Sequence, residues 1–145
     1  IVDWKKPFEL LEIGKGRKIR DGKDIAFVTI GTIGNNTQKA IDILISEGYN
    51  PAHFDMRFVK PLDSQLLDQA LADYPTIITV EDGCISGGFG SAVLEHSMDR
   101  GCSNKIIRLG IPDTFIDHAT QEEQYIECGI DPKGIANTAK DALAK

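Results

Sequence analysis

The sequence predicts an α/β fold with three layers, in which helices cover both faces of a mainly parallel sheet of about five strands. Short apolar, β-rich runs alternate with stretches whose apolar residues recur at helical spacing. The first run, 25–30, is almost continuously apolar, as a strand covered on both faces must be. This alternation implies parallel strands that are joined by right-handed crossovers.

A helix is predicted after the strand at 25–30. Asn35, Asn36 or Thr37 can cap its start, and Gly48 is expected to end it. Its inward face is formed by three apolar residues: Ile41, Leu44 and Ile45.

A second strand and a second helix follow in the same order. The strand is predicted over 53–58, and Asp63 is expected to cap the helix. The third strand is predicted over 76–80, directly after Pro75. An apolar stripe at helical spacing marks the buried face of the second helix: Leu66, Leu67, Ala70 and Leu71.

Two carboxylates, Glu81 and Asp82, follow the third strand and lead into a glycine-rich turn over 83–90. A third helix is predicted after this turn and is expected to stop at Gly101. The fourth strand is predicted over 106–111. The apolar positions of the third helix include Ala92, Val93 and Met98.

The C-terminal part carries two helix-start signals. Thr120 and Glu123 match a capping box, and the short helix after them is expected to end at Gly129. Asp131–Pro132 predicts the start of a last helix, and the segment 10–20 predicts an antiparallel strand at the edge of the sheet. The inward residues of the last helix are Ile135, Ala139, Ala142 and Leu143.

Length and composition restrict the function. The 145 residues predict one domain, and the formal net charge of −6 argues against nucleic acid or an anionic membrane as a partner. No apolar run is long enough to span a bilayer and no secretory pattern opens the chain, so we expect a cytoplasmic location. Cys84, Cys102 and Cys128 form no metal-binding pair, and we interpret them as reduced structural thiols.

Functional residues are sought where parallel strands end, because ligands bind beyond the carboxyl ends of such strands. The loop 31–34 could offer amide groups to an anion, but we interpret its glycines as forming a tight strand-to-helix turn. Arg57 and Lys60 place two cations at the next strand end, and an arginine there presents a planar fork to a phosphate. The alternative is that Arg57 simply pairs with Asp55 or another carboxylate.

The third strand end predicts a contact surface more than a catalytic site. Glu81 and Asp82 are adjacent, so in a strand they face opposite sides and do not act as a pair. The glycines that follow indicate a close backbone approach, and we interpret the segment as an interface with a neighbouring domain. His53, His96 and His118 have no metal-ligand spacing. The sequence shows no complete group of catalytic residues, which indicates that the chain is part of a larger assembly.

Three motifs together resemble the C-terminal domain of the transketolase-like thiamine enzymes, and among them the 1-deoxy-D-xylulose-5-phosphate synthases. The first is Asp55-Met-Arg-Phe-Val-Lys-Pro-Leu-Asp63. The second is Thr79-Val-Glu-Asp-Gly83 with Gly87-Gly-Phe-Gly-Ser91. The third is Leu109-Gly-Ile-Pro-Asp-Thr-Phe-Ile116 with Thr120-Gln-Glu-Glu123. The resemblance spans nearly the whole chain.

The resemblance implies an enzyme that condenses pyruvate with D-glyceraldehyde 3-phosphate and releases carbon dioxide, for isoprenoid, thiamine and pyridoxal synthesis. Thiamine diphosphate and Mg²⁺ would supply the carbanion chemistry from the preceding domains, so no catalytic, cofactor or metal residue is expected in this chain. Arg57 falls at the family's arginine for the acceptor phosphate. Lys60 is a second candidate, which adds positive potential or only covers the helix start.

The resemblance also implies an organisation. Residues 1–8 are expected to be a linker from missing N-terminal and central domains, and residues 9–145 the C-terminal domain of a homodimeric enzyme that is inactive when the domain is alone. Two alternatives stay open. One is the same domain of a transketolase or of a 2-oxo-acid dehydrogenase β component, and the other is a purely structural interface module.

Overall fold

One mixed sheet of five strands organises the chain, which the computed structural model describes at Lys5 and over residues 7–144. The strand order is β1-β3-β2-β4-β5, with β1 antiparallel to β3 and the other neighbours parallel. This confirms the predicted mainly parallel sheet with one antiparallel edge strand. The strands are β1 (Arg17–Arg20), β2 (Ala26–Ile30), β3 (Ala52–Asp55), β4 (Thr76–Cys84) and β5 (Lys105–Ile111).

Helices cover both faces of this sheet and complete the predicted three layers. Helices α1 and α5 pack around Phe27 and Ile78 on one face, whereas α2 and α3 pack around Val28 and Phe54 on the other. All four of these side chains are fully buried. The helices are α1 (Gly34–Ser46), α2 (Ser64–Asp73), α3 (Phe89–Asp99), α4 (Gln121–Glu127) and α5 (Pro132–Leu143).

Three of the predicted helix caps are present. The Asp63 side chain accepts a hydrogen bond from the Leu66 amide at the start of α2. Thr120 and Glu123 form the reciprocal capping box of α4. Asp131 accepts from the amides at the start of α5, where Pro132 occupies the first turn. Each cap satisfies amide groups that the helix itself leaves unpaired, which stabilises the start by about 1 kcal/mol.

The predicted cap of α1 is wrong. The helix begins at Gly34, so Asn35, Asn36 and Thr37 lie inside it and no side chain caps it. Tight backbone bonds close the first turn instead, and the Gly34 amide donates to the Gly31 carbonyl at 3.2 Å. The turn after β2 therefore supplies the acceptors that a capping side chain would otherwise provide.

Two apolar helix residues that the sequence pattern singled out point to solvent. Ile45 is 42% exposed near the end of α1, and Met98 is 67% exposed near the end of α3. Both lie in the last turns of their helices, and their apolar character alone suggested burial. A single exposed apolar side chain is ordinary on a protein surface, so these residues need no partner.

Two strand boundaries differ from the prediction. Strand β3 ends at Asp55 rather than at residue 58, because Arg57 adopts a left-handed backbone conformation that breaks the extended strand. Strand β4 continues beyond residue 80 to Cys84, after an irregularity in its pairing with β5. Both differences fall at the edge of the sheet where ligands are expected.

The N-terminal segment, the cysteines and the hydrophobicity of the helices were also the subject of predictions. The predicted linker over 1–8 lies largely outside the described residues, which omit residues 1–4 and 6. All three cysteines are free thiols, but Cys84 is exposed and so does not pack in the core. Among the described helices, none has the length and apolar character that crossing a membrane requires.

Candidate functional site

An open crevice of about 730 Å³ lies at the carboxyl edge of the sheet, beside the ends of β2 and β3. It contains the predicted residue Arg57 and the loop after β2. Its position agrees with the rule that parallel sheets bind ligands beyond the carboxyl ends of their strands. The residues that line it are Glu9, Leu11, Arg17, Gly31, Thr32, Asp55, Arg57 and Phe58.

The backbone of Arg57 is held in an unusual conformation. Its φ is 56°, in the left-handed region that costs an ordinary side chain about 1–2 kcal/mol. The Asp55 carboxylate accepts a hydrogen bond from the Arg57 amide at 3.1 Å, which is the local contact that aspartate makes in tight turns. This turn directs the chain out of the sheet directly after β3.

The second oxygen of Asp55 binds a different arginine. It accepts from the Arg17 Nε atom at 3.1 Å, across the antiparallel pair of β1 and β3. Within the described part of the chain, the Arg57 guanidinium makes no hydrogen bond or ion pair. The alternative in which the Arg57 side chain pairs with Asp55 is therefore wrong. A free guanidinium at a crevice can bind a planar or tetrahedral anion.

Lys60 and the glycine loop contribute less to this crevice. Lys60 is exposed and is absent from the described lining of the crevice. Gly31 lies at the crevice with φ of 76°, where glycine avoids the cost of a side chain. The amides of Gly34 and Asn35 are already bonded to carbonyls of the loop. The loop therefore acts as a tight turn, with few amides left for an anion.

The buried carboxylate of Glu81 caps helix α3. Its two oxygens accept from the amides of Phe89 at 2.7 Å and Gly90 at 2.8 Å. A Cβ at Gly88 would lie 2.2 Å from a Glu81 oxygen and from the Cys84 carbonyl, so only glycine fits there. The close approach that the glycines predicted is thus internal to the chain at this point. Sequence reasoning missed the cap because eight residues separate Glu81 from Phe89.

Asp82 faces solvent, as expected for the neighbour of a buried residue in a strand. It accepts a hydrogen bond from the Tyr125 hydroxyl at 2.6 Å, at a largely apolar cavity of about 350 Å³ beside the end of β5. Burial and the Asp82 carboxylate raise the pKa of Tyr125 to about 12. The phenol is therefore a hydrogen-bond donor at neutral pH. No local sequence signal predicts this contact, because 43 positions separate the two residues.

None of the three histidines is placed at the crevice as an exposed acid or base. His53 is buried beside Thr29, with 2.9 Å between its Nε2 atom and the Thr29 hydroxyl, and burial lowers its pKa to about 4. His96 pairs with Asp68 at 2.6 Å, and His118 is exposed. Over residues 7–144 and Lys5, no three His, Cys, Asp or Glu side chains are grouped to hold a metal ion.

Comparisons with known proteins agree with this architecture. Over 139 residues the chain is 52% identical to a 1-deoxy-D-xylulose-5-phosphate synthase of Cytophaga hutchinsonii, which covers 96% of this chain and 22% of that protein. A protein of the same name from Parabacteroides distasonis is 49% identical over 138 residues, 95% of this chain and 22% of its own length. The chain thus spans about a fifth of the length of the curated relatives it matches.

A solved structure and a family model give the same assignment. A split-gene transketolase, described as an inactive beta4 tetramer, superposes with a TM-score of 0.85 at 26% identity over 92% of this chain and 44% of that one. The model of the transketolase C-terminal domain matches residues 14–135, which include β1 and Arg57. The chain therefore belongs to the transketolase C-terminal domain family.

Proposed function

We propose that this chain is the C-terminal domain of a 1-deoxy-D-xylulose-5-phosphate synthase, in which Arg57 binds the phosphate of the aldehyde acceptor. The longer enzyme condenses pyruvate with D-glyceraldehyde 3-phosphate and releases carbon dioxide. The observation that carries the proposal is the Arg57 guanidinium, which lies at an open crevice without a partner among the described residues. The names of relatives that are 42–52% identical favour this activity over the transketolase and dehydrogenase alternatives.

The domain's part in the reaction is to bind and orient the acceptor. A guanidinium presents several N–H donors in one plane, so it forms short, charge-assisted bonds to phosphate oxygens. Holding the phosphate fixes the position of the aldehyde at the other end of a three-carbon substrate. This orientation lowers the entropy cost of bringing two reactants together.

The proposal places the enzyme's cofactor outside this chain. Following the family resemblance, we assign thiamine diphosphate and Mg²⁺ to other domains of the longer polypeptide. In the same proposal, residues 1–8 are the linker to those domains and residues 9–145 form this one. A homodimer and a cytoplasmic location complete the proposal.

The phosphate role predicts a selective loss in the full-length protein. Arg57→Ala should lower kcat/KM for glyceraldehyde 3-phosphate by about ten- to a hundredfold, because one charge-assisted contact is lost. With pyruvate saturating, kcat/KM for unphosphorylated glyceraldehyde should stay within about twofold. Steady-state kinetics with both acceptors measures the ratio.

Two control variants sharpen this experiment. Arg100→Ala removes an exposed arginine that pairs with Asp68 far from the crevice, and it should leave the ratio unchanged. Lys60→Ala should change it by no more than about threefold, since an exposed lysine adds only screened potential. An equal loss with both acceptors in Arg57→Ala would make the domain a structural module. Absence of synthase activity in the full-length protein would refute the enzyme assignment itself.

A further inference from the structure

The Asp55 carboxylate is shared between two arginines of the crevice. One oxygen accepts from the Arg57 amide and the other from the Arg17 Nε atom, each at 3.1 Å. Asp55 is also fixed through its backbone, since it is paired with Thr29 of β2 and with Arg17 of β1. Its side chain is 16% exposed, whereas that of Arg17 is 56% exposed. The Asp55 carboxylate is thus held firmly in position and is partly exposed to solvent.

Arg57 needs such an anchor because its backbone conformation is unfavourable. A φ of 56° is costly for a residue with a long side chain. The residue before it is also fixed, because the Met56 side chain is fully buried and its amide donates to the Thr29 carbonyl at 2.9 Å. The chain therefore turns at Arg57 on a fixed residue. Two local contacts stabilise the turn: the bond from the Arg57 amide to the Asp55 carboxylate and the bond from the Phe58 amide to the Met56 carbonyl.

The geometry points to Asp55 as a positioning residue that keeps the Arg57 guanidinium at the crevice. It does so by holding the Arg57 amide, and Arg17 in turn holds the carboxylate in the required orientation. This inference rests on the proposed function, since it concerns the arginine that we assign to the acceptor phosphate. It adds Asp55 and Arg17 to the residues that determine acceptor selectivity.

The sign of the electrostatic effect makes the inference testable. A carboxylate near a phosphate repels it, so removing the charge of Asp55 alone should improve phosphate binding. Removing the hydrogen bond to the Arg57 amide should weaken it. Asp55→Ala removes the charge and both acceptors, whereas Asp55→Asn keeps one oxygen that can accept from the Arg57 amide and loses the charge and the acceptor for Arg17. A positioning role therefore predicts a larger fall in Asp55→Ala than in Asp55→Asn.

The experiment measures the ratio of kcat/KM for glyceraldehyde 3-phosphate to that for glyceraldehyde in the full-length enzyme. Asp55→Ala should lower the ratio about tenfold, mainly through KM, because the guanidinium is displaced and not removed. Asp55→Asn should lower it by no more than about threefold, because the Arg57 amide keeps its acceptor and only the Arg17 contact is lost. Arg17→Ala should lower it about threefold, since the freed carboxylate samples other rotamers. Asp21→Ala, an exposed aspartate bonded to Lys18 beyond β1, should leave it unchanged.

A double variant tests whether Asp55 acts through Arg57. If it does, adding Asp55→Ala to Arg57→Ala should change the ratio by less than about twofold, because the two losses are not additive. Should Asp55→Ala fail to fold, the exposed Arg17→Ala variant tests the same chain of contacts, and an unchanged ratio there overturns the inference.

The outcomes separate this inference from the proposed function. A normal ratio in Asp55→Ala together with a low ratio in Arg57→Ala overturns only the positioning role. An equal fall in Asp55→Ala and Asp55→Asn also overturns it, because the charge and not the amide contact would then matter. A normal ratio in Arg57→Ala overturns the phosphate role, and the positioning role with it.

Discussion

Two carboxylates at the carboxyl edge of the sheet, Glu81 and Asp55, bind backbone amides, but they differ in burial and in the other groups that they contact. Glu81 is buried, and both of its oxygens are occupied by the amides at the start of α3. Asp55 is partly exposed and holds one amide and one arginine, while the guanidinium of Arg57 remains unpaired among the described residues. At Glu81 every carboxylate oxygen has a partner within the chain. At Asp55 the neighbouring Arg57 leaves a cation at an open crevice.

The comparison separates a structural motif from a binding site. Both segments place a carboxylate at the end of a strand, and the residue type alone does not distinguish a helix cap from a binding site. What differs is whether any polar group remains without a partner after the chain has folded. A buried polar group must be satisfied, whereas an unsatisfied one at the surface is available to a ligand.

The largest effect on stability is expected at Glu81. Replacing it by alanine leaves two buried amides without acceptors, so Glu81→Ala should lower the free energy of unfolding by about 4 kcal/mol. Equilibrium urea unfolding of the chain measures this loss. Asp82→Ala is the matched control, because this exposed neighbour makes one side-chain bond to Tyr125 and should cost about 1 kcal/mol at most. Equal losses in the two variants would remove the distinction between the segments.

A smaller effect is expected from the titration of His53, which lies beneath the crevice beside Thr29. Its pKa is about 4 in the folded chain against an ordinary value of 6.5, so the unfolded chain binds more protons between these values. Stability should therefore fall as the pH drops from about 6.5 to 4, by about 3 kcal/mol in total.

The variant His53→Gln isolates this contribution. Unfolding free energies measured across that pH range should fall less steeply in His53→Gln than in the parent chain, by about the same 3 kcal/mol. Identical slopes in the two proteins would show that His53 does not titrate as its burial requires.

The smallest effect is expected at Gly31, on the rim of the crevice. Nothing lies within 4 Å of a Cβ added there, so the cost of Gly31→Ala comes only from its φ of 76°. This cost should be about 1 kcal/mol in urea unfolding, and Gly31→Asn should cost less, because asparagine tolerates the left-handed region better. A larger loss in Gly31→Asn than in Gly31→Ala would indicate crowding, as at Gly88.

Much of the fold follows from local sequence. The continuous apolar run before Gly31 predicted a doubly covered strand, and Asp63, Thr120 and Asp131 predicted helix starts that the structure confirms. These features depend on residues within a few positions of each other. Apolar periodicity and capping are local, so they can be read from the sequence. Arg57 was likewise predicted at a strand end, where the structure has it.

Contacts between distant segments could not be predicted in this way. The Asp55 carboxylate selects Arg17, 38 residues away, and not the side chain of Arg57, two residues away. The same is true of Tyr125, which reaches Asp82 across 43 positions. The register of β1 against β3 brings the first pair together, and the packing of α4 beside the end of β4 brings the second pair together. Neither is contained in the periodicity of one segment.

The sequence by itself determined the class of fold, the edge of the sheet where a site should lie, and the arginine to examine. Only the tertiary structure decided which polar groups find hydrogen-bond partners within the chain and which remain available to a ligand. The physical reason is that satisfaction of a buried or half-buried group depends on every neighbour that packing brings to it. Packing occupies both oxygens of Glu81 and leaves the guanidinium of Arg57 without a partner among the described residues.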